Sequence, residues 1–339
     1  MTRGRTVVSA AAALVAAGGA IALSALFLGP SAKAAVGPMP GDALLLPADA
    51  KFVGGIDVKR FVQSQFYVKY ASPQAKGRPE TFRELEEKTG LNPERDIDQV
   101  VFAGTPPGGA ARENAIVVAI GRFDRAKISR TIETEKKGVT SKSVQGVTLY
   151  LFEEGQRGAS ALAFVDDRTL VMGSQAAVEA AILSQSQGGK TLKQNASIMA
   201  LLEKVRPDAT FWAVGDQSLF QNMPKNVPGP GGSGQITLPG LRSLTVAGDM
   251  DPAVALEITG ETIDDAAAKN LADVVRGFVA LAALQSGQRP ELKELASAIS
   301  VTTEANQVRV NARVPYELLD ALQPKPKTRT QGAEPEAGK

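Results

Sequence analysis

An α+β architecture of two tandem, similar units, each a mainly antiparallel sheet with helices on one face, follows from a repeated motif, the order of segments around it and their hydropathy patterning. Asp49-Ala50-x-Phe52-x4-Asp57-x3-Phe61 recurs as Asp208-Ala209-x-Phe211-x4-Asp216-x3-Phe220. Val100-Val101-Phe102-Ala103-Gly104 follows the first copy, and Leu244-Thr245-Val246-Ala247-Gly248 follows the second. Apolar runs at 115–120 and 253–258 come next, then Asp124 or Asp264 opening a helix-period stretch, then closing segments at 169–183 and 307–322. The same spacing separates Ala115 from Ala253 and Leu170 from Val308. Co-linearity carries the inference of duplication, and the period is too long for a solenoid. The units are placed at 44–190 and 191–322, with a ferredoxin-like arrangement preferred for each.

In the first unit, residues 52–56 read as a strand and Asp57 as the cap of a helix on which Val58, Phe61 and Val62 share a face. Thr81-Phe82-Arg83-Glu84 reads as a capping box opening a second helix, which Gly90 closes. Residues 100–103 and 115–120 form an antiparallel pair across Thr105-Pro106-Pro107-Gly108-Gly109. A helix over 124–137, strands over 147–152, 159–165 and 169–172 with a turn at Asp166-Asp167, and a helix over 175–183 complete it.

The second unit repeats the first strand at 211–214, and a helix begins at Leu219. Where the first unit has its boxed helix, residues 224–240 are rich in Pro and Gly and read as a mobile loop. Asp264 opens a longer helix whose apolar stripe is Leu271, Val274, Val275, Phe278, Leu281 and Ala282. That length is offset by one missing strand, and 299–303 with 308–314 make the closing hairpin. Residues 323–339, a Pro/Lys/Glu tail, are expected to be disordered.

Ahead of the units, Arg3 and Arg5 precede an uncharged stretch at 6–32, and Ala32-Lys33-Ala34 fits the small-x-small cleavage rule. A secretory leader over 1–34 is expected, with a connector over 35–43; the alternative is an uncleaved anchor over 6–29. Either reading puts the rest of the chain outside the cytoplasm, and an uncleaved segment would make the membrane itself a partner. The chain has 38 basic and 36 acidic residues; without Arg3, Arg5 and Lys33 the balance is 35 to 36. Such a chain has no bulk field to recruit nucleic acid. It has no cysteine, so no disulfide staples, and units of this length need none.

There is also no histidine. Ser-His-Asp and Cys-His catalysis and His- or thiolate-bound zinc are thereby excluded, and no cofactor is called for. Carboxylates remain. Asp96-Ile97-Asp98 and Asp249-Met250-Asp251 lack the further ligands of a calcium loop and read as turns, so no metal site is assigned. Asp57 and Asp216, related by the repeat, offer either two helix caps or a paired acid and base of the glycosidase kind. The glycines at 229–234 lack the phosphate-loop pattern. Phe61, Phe66, Tyr67 and Tyr70 are the one local concentration of aromatics, either a binding patch or packing between the units.

Leu44-Leu45-Leu46-Pro47-Ala48-Asp49-Ala50, with Ile56-Asp57, Thr89-Gly90-Leu91-Asn92-Pro93 and Asp96-Ile97-Asp98, resembles a family of exported bacterial proteins of unknown function that open on a Leu-Pro-Ala-Asp strand. The resemblance covers mainly the first unit and implies an envelope location but no activity. The expectation is a non-enzymatic extracytoplasmic protein, periplasmic, secreted or anchored, that binds an envelope protein or cell-wall component. A carboxylate-based hydrolase of polysaccharide is the alternative.

Overall fold

A computed structural model describes residues 44–72, 80–105, 114–134, 138–153, 159–220, 226–228, 235–237, 240–284 and 290–322. The segments expected as leader or anchor, connector and C-terminal tail lie outside the described residues, as does most of the Pro/Gly loop. In chain order the elements are β1 (Phe52–Asp57), α1 (Val58–Gln63), a π-helical turn (Tyr67–Ala71), α2 (Glu80–Thr89), α3 (Pro93–Asp96), β2 (Ile97–Gly104), β3 (Ala115–Gly121), α4 (Arg125–Thr134), β4 (Val139–Val144), β5 (Val147–Glu153), β6 (Ala159–Phe164), β7 (Thr169–Ser174) and α5 (Gln175–Gln187). After a 3₁₀ turn (Leu192–Gln194) follow α6 (Ala196–Leu202), β8 (Phe211–Asp216), α7 (Gln217–Phe220), β9 (Asn226–Pro228), β10 (Gln235–Thr237), β11 (Leu241–Asp249), β12 (Val254–Thr262), α8 (Asp265–Leu284), α9 (Glu291–Ser297), β13 (Ile299–Glu304), β14 (Gln307–Val314) and α10 (Tyr316–Leu322).

The strands make one continuous twelve-stranded sheet in the order β13-β14-β12-β11-β8-β1-β2-β3-β7-β6-β5-β4, and every neighbouring pair is antiparallel. A ferredoxin-like unit would place two strands parallel side by side, so that arrangement is not adopted; each unit is instead an antiparallel row whose first strand lies at the joint. β1 and β8 pair there with Gly54 opposite Ala213, Phe52 opposite Gly215 and Ile56 opposite Phe211. In the repeat Phe52 matches Phe211 and Asp57 matches Asp216, so the pairing is symmetric about Gly54 and Ala213. The ladder extends equally at both ends: Asp57 N–H donates to the Thr210 carbonyl at 2.8 Å and Asp216 N–H to the Lys51 carbonyl at 3.0 Å.

Small residues at the joint leave room for neighbouring rings. Phe102 lies over Gly54, where an added Cβ would sit 2.2 Å from its ring, and Trp212 lies over Gly55. The repeated phenylalanines use the same device, Phe52 facing Gly104 and Phe211 facing Gly248 across the strands. The Phe of the motif and the Ala-Gly at or near the end of the strand paired with it are therefore two halves of one contact, made twice.

Helices occupy both faces of the sheet, not one. On the first face Val53, Val101, Ile116, Val118, Val171 and Trp212 pack under α5 and α6. On the second, Ile56, Val100, Phe164, Leu170 and Phe211 pack under α4, with α1 alongside. α8 lies over β12–β14 through Ala268, Ala272, Val308 and Val310. Val308 and Val310 share the parity of Leu170 and Met172, so α8 covers the same face as α4. The cause is legible in the first unit, whose inner strands are apolar on consecutive residues as strands buried on both faces must be.

Other elements depart in detail from the sequence reading. β4 is an additional exposed edge strand with no apolar run to announce it, so the second unit lacks two strands rather than one. Thr81 lies inside α2, which starts at Glu80, so the box does not mark its boundary, whereas Gly90 ends it at φ +75°. The described parts of the Pro/Gly loop, β9 and β10, pair as a small hairpin. The register makes Leu256, not Ala253, the counterpart of Ala115, because each lies opposite the Gly of the repeated Ala-Gly, Gly248 and Gly104. On α8 the alanines 267, 268 and 272 are buried, while Phe278 of the expected stripe is exposed.

Candidate functional site

Two rows of side chains across the sheet show where the units differ. In the first unit Val101, Val118, Val171 and Ala163 lie side by side on four neighbouring strands, next to Ala103, Ile116, Gly173 and Ala161. These are the residues that α5 and α6 cover. Counterparts in the second unit are Thr245, Thr259, Arg309 and Thr302, next to Ala247, Glu257, Asn311 and Ser300. Beyond Thr245, Ala247 and Ala255 this face is polar, and Ser300, Thr302 and Arg309 are exposed. Strict alternation in Val308-Arg309-Val310-Asn311 and Ile299-Ser300-Val301-Thr302 encodes it: one side packs on α8, the other meets water.

The helix that closes the chain leaves this face open. In the first unit α5 follows β7 and lies on the α6 side. In the second, α10 follows β14 but packs with Val254, Val314, Phe66 and Tyr70. Tyr70 Oη donates to the Tyr316 carbonyl at 3.1 Å and to Asp320 Oδ1 at 2.8 Å, and Lys69 pairs with Asp320. Lys69 and Tyr70 hold the Asp320 carboxyl below its ordinary range. Tyr316 donates to the Met250 carbonyl, and burial, then Asp251, pushes its phenol up to about 12.

The aromatic cluster expected as a patch or as packing thus joins the two units. Phe61 meets Tyr67 edge-on at 5.4 Å, Phe66 lies 5.2 Å from Tyr70, and Tyr70 lies 6.2 Å from Tyr316. Phe61, Phe66, Tyr67 and Tyr70 are all half-buried, and Val68 between them is exposed.

Asp57 and Asp216 are not brought together. The symmetric register sends them to opposite ends of the β1–β8 pair, six positions apart, about 20 Å along the strands. Acid–base pairs of the glycosidase kind stand within about 10 Å. Each carboxylate instead accepts the N–H of the helix it precedes, Arg60 N–H at 3.0 Å for Asp57 and Ser218 N–H at 2.8 Å for Asp216. Burial raises the Asp57 carboxyl above its ordinary value, although the Arg60 N–H and guanidinium oppose the rise.

Of the carboxylates expected in turns, Asp96 instead ends α3, Asp98 lies in β2 and Asp249 ends β11, and all three are engaged by cations. Asp98 sits between Lys59 at 2.7 Å and Arg168 at 2.5 Å, and Asp96 pairs with Arg95 at 2.6 Å. Asp249, 3% exposed, is held by Arg206 at 2.5 Å. The same guanidinium reaches Asp208 at 3.1 Å and Glu257 at 3.7 Å. Burial raises the Asp249 carboxyl against the pull of Arg206.

The Arg206 cluster closes one end of the open face. Around it lies a cleft of about 440 Å³, lined by Asp208, Glu257, Ser300, Asn311 and Arg313 among others. At the other end a concavity of about 240 Å³ is lined by Thr302, Thr303, Glu304, Gln307 and Arg309. At that same end Glu261, opposite Gln307, pairs with Lys204 at 3.3 Å. Among the described residues neither Arg309 nor Arg313 has an ion-pair partner, and both are exposed. The arrangement can accept hydrogen bonds, donate them and hold anions. Sequence reading passed over it because its signal is a contrast between equivalent strands, not a motif within one.

The profile of a family described as "Protein of unknown function (DUF3352)" matches residues 8–232. No curated protein matches the chain. Among solved structures, crystal form I of TP0453 is similar with a TM-score of 0.43 and 10% identity over 84% of this chain and 96% of that one. Crystal form III of TP0453 gives 0.41 and 9% over 83% and 96%. Likeness at this level informs neither ligand nor activity. Among the described residues no helix is long and apolar enough to cross a membrane.

Proposed function

The chain belongs to the DUF3352 family, which brings no activity with it, and we propose that it is an exported, non-enzymatic protein that binds an envelope component through the open polar face of its second unit. What carries the reading is the replacement of Val118, Val171, Ala161 and Ala163 by Thr259, Arg309, Ser300 and Thr302 at equivalent positions, under no covering helix among the described residues. Two concavities bracket this face. Export rests on the N-terminal pattern of Arg3, Arg5 and the uncharged stretch behind them. A hydrolase built on Asp57 and Asp216 draws no support from their separation.

Co-sedimentation of the full chain with envelopes isolated from cells that produce it tests this. Wild-type chain is expected in the pellet, and a variant carrying Trp in place of Asn311 and Ser300 is expected in the supernatant with its thermal unfolding unchanged. Equal partition of wild type between pellet and supernatant, with or without envelopes, removes the reading.

A further inference from the structure

We propose that Arg276 guards the outer edge of the sheet and keeps β13 from pairing with the β13 of a second copy of this chain. β13 and β4 end the row of twelve strands, so each has one side without a strand neighbour. β4 carries Lys142 at mid-strand, a long cation of the kind that blunts an edge, held by Glu179 at 2.7 Å. β13 reads Ile-Ser-Val-Thr-Thr-Glu, with no proline, no lysine and a single charge at its end. Such a strand has no protection of its own.

Protection comes from the helix above it. Arg313 N–H donates to the Ala298 carbonyl, and that bond sets the alternation of the ladder. Ser300, Thr302 and Glu304 turn their backbone groups to β14, while Ile299, Val301 and Thr303 turn theirs outward. Val301 packs beneath α8, and its outward carbonyl accepts from Arg276 Nη2 at 3.1 Å. Asp273, one turn back on α8, holds the same guanidinium through Nη1 at 2.9 Å. A carboxylate thus aims a cation at the central acceptor of the edge, the place where an incoming strand puts an N–H.

The strand behind this guard fits its own copy. An antiparallel pair centred on Val301 sets Ile299 opposite Thr303, Ser300 opposite Thr302 and Ala298 opposite Glu304. Outward residues then meet outward residues, and every side chain keeps its face of the sheet. No like charges stand directly opposed along the pair. β1 and β8, related by the repeat, already meet in this symmetric way about Gly54 and Ala213. A second copy is therefore the occupant that the bare edge suits and the guard excludes.

Sedimentation velocity of the full chain over a range of concentrations tests this, with hydrogen exchange read at the amides of Val301 and Thr303. Wild type is expected to remain monomeric. Arg276→Ala is expected to dimerise with a Kd lower by about tenfold or more, and its two amides to exchange more slowly as concentration rises. Asp273→Ala leaves the cation present but unaimed; it is expected to fall between the two, and it decides the matter alone if Arg276→Ala does not fold. Adding Ser300→Glu to Arg276→Ala is expected to restore the monomer. That carboxylate lies diagonal to Glu304 of the second copy, while Arg309 and Arg313 offset it within its own sheet. An Arg276→Ala chain that associates no more than wild type overturns the proposal. So does association that leaves the Val301 and Thr303 amides exchanging freely, or that survives Ser300→Glu.

Discussion

Gly54 lies directly opposite Ala213 at the centre of the sheet, and the register runs symmetrically outward from that pair. The two copies of the repeat are thus related by a local two-fold axis standing on the joint. Such an axis preserves the face of the sheet, so equivalent residues in the two halves meet the same side. The contrast between covered Val171 and open Arg309 is therefore a difference in sequence and not in orientation.

The phenylalanine–glycine contacts should be coupled. Gly248→Val places a side chain where the Phe211 ring stands, since even a Cβ would lie 2.1 Å from it, and should destabilise by about 1–3 kcal/mol. Truncating the ring as well, in Gly248→Val with Phe211→Ala, should cost less than the two changes summed. Urea unfolding of the four members of the cycle measures this, and strict additivity would contradict the contact.

Asp57 and Asp216 should behave as independent caps. Asp57→Ala and Asp216→Ala are each expected to cost about 1 kcal/mol. Sites this far apart add, so the double variant should fall within about 0.5 kcal/mol of the sum. A larger coupling energy in chemical unfolding would point to a shared site instead.

Arg206 holds the loop before β8 onto the end of β11. Replacing it with Leu leaves Asp249 buried without its cation, and a loss of about 3 kcal/mol is expected. Burial makes the Asp249 pKa higher in the folded chain than in the unfolded one, so its protonated form favours folding. That contribution is complete below the unfolded pKa and is lost as pH rises through the folded one. The stability of wild type relative to Asp249→Asn should therefore fall as pH rises from the ordinary carboxylate range into the weakly acidic. A pH-independent difference would refute this.

The opposite sign applies at the C-terminal helix. Lys69 and Tyr70 depress the Asp320 pKa, so its contribution is present above the unfolded value and is lost as pH falls through the folded one. Hydrogen exchange of residues 316–322 should quicken in Asp320→Asn and in Tyr70→Phe at neutral pH, and in wild type on acidification, with the β1–β8 amides unaffected. Unchanged exchange in both variants would show that α10 is held by Val254 and Val314 alone.

Much of this fold was legible because it depends on local chemistry. Asp57, Asp124 and Asp264 accept from the helix N–H groups at the places their sequence positions suggest, and Gly90 takes the left-handed turn. Pairing of β1 with β8 was not legible, because nothing in Phe52-Val53-Gly54-Gly55 specifies whether its second edge meets solvent or another strand. The destination of α10 was hidden for a similar reason: it depends on Phe66 and Tyr70, 246 residues from Tyr316 in the chain for the Tyr70 hydrogen bond. The open face was written in the alternation of β14, and became readable once β7 supplied a partner for comparison.

Because the joint runs through the middle of the sheet, neither half is a module that can be lifted out. Cutting the chain between α5 and β8 would bare the backbone groups of Phe52–Asp57 on one fragment and of Phe211–Asp216 on the other, two ready templates for strand addition. Each bare edge is complementary to the other and, through the near-symmetry about Gly54 and Ala213, also to a copy of itself. Fragments made separately should either recombine or pair with their own kind, so the covalent link between the units secures the choice of neighbour.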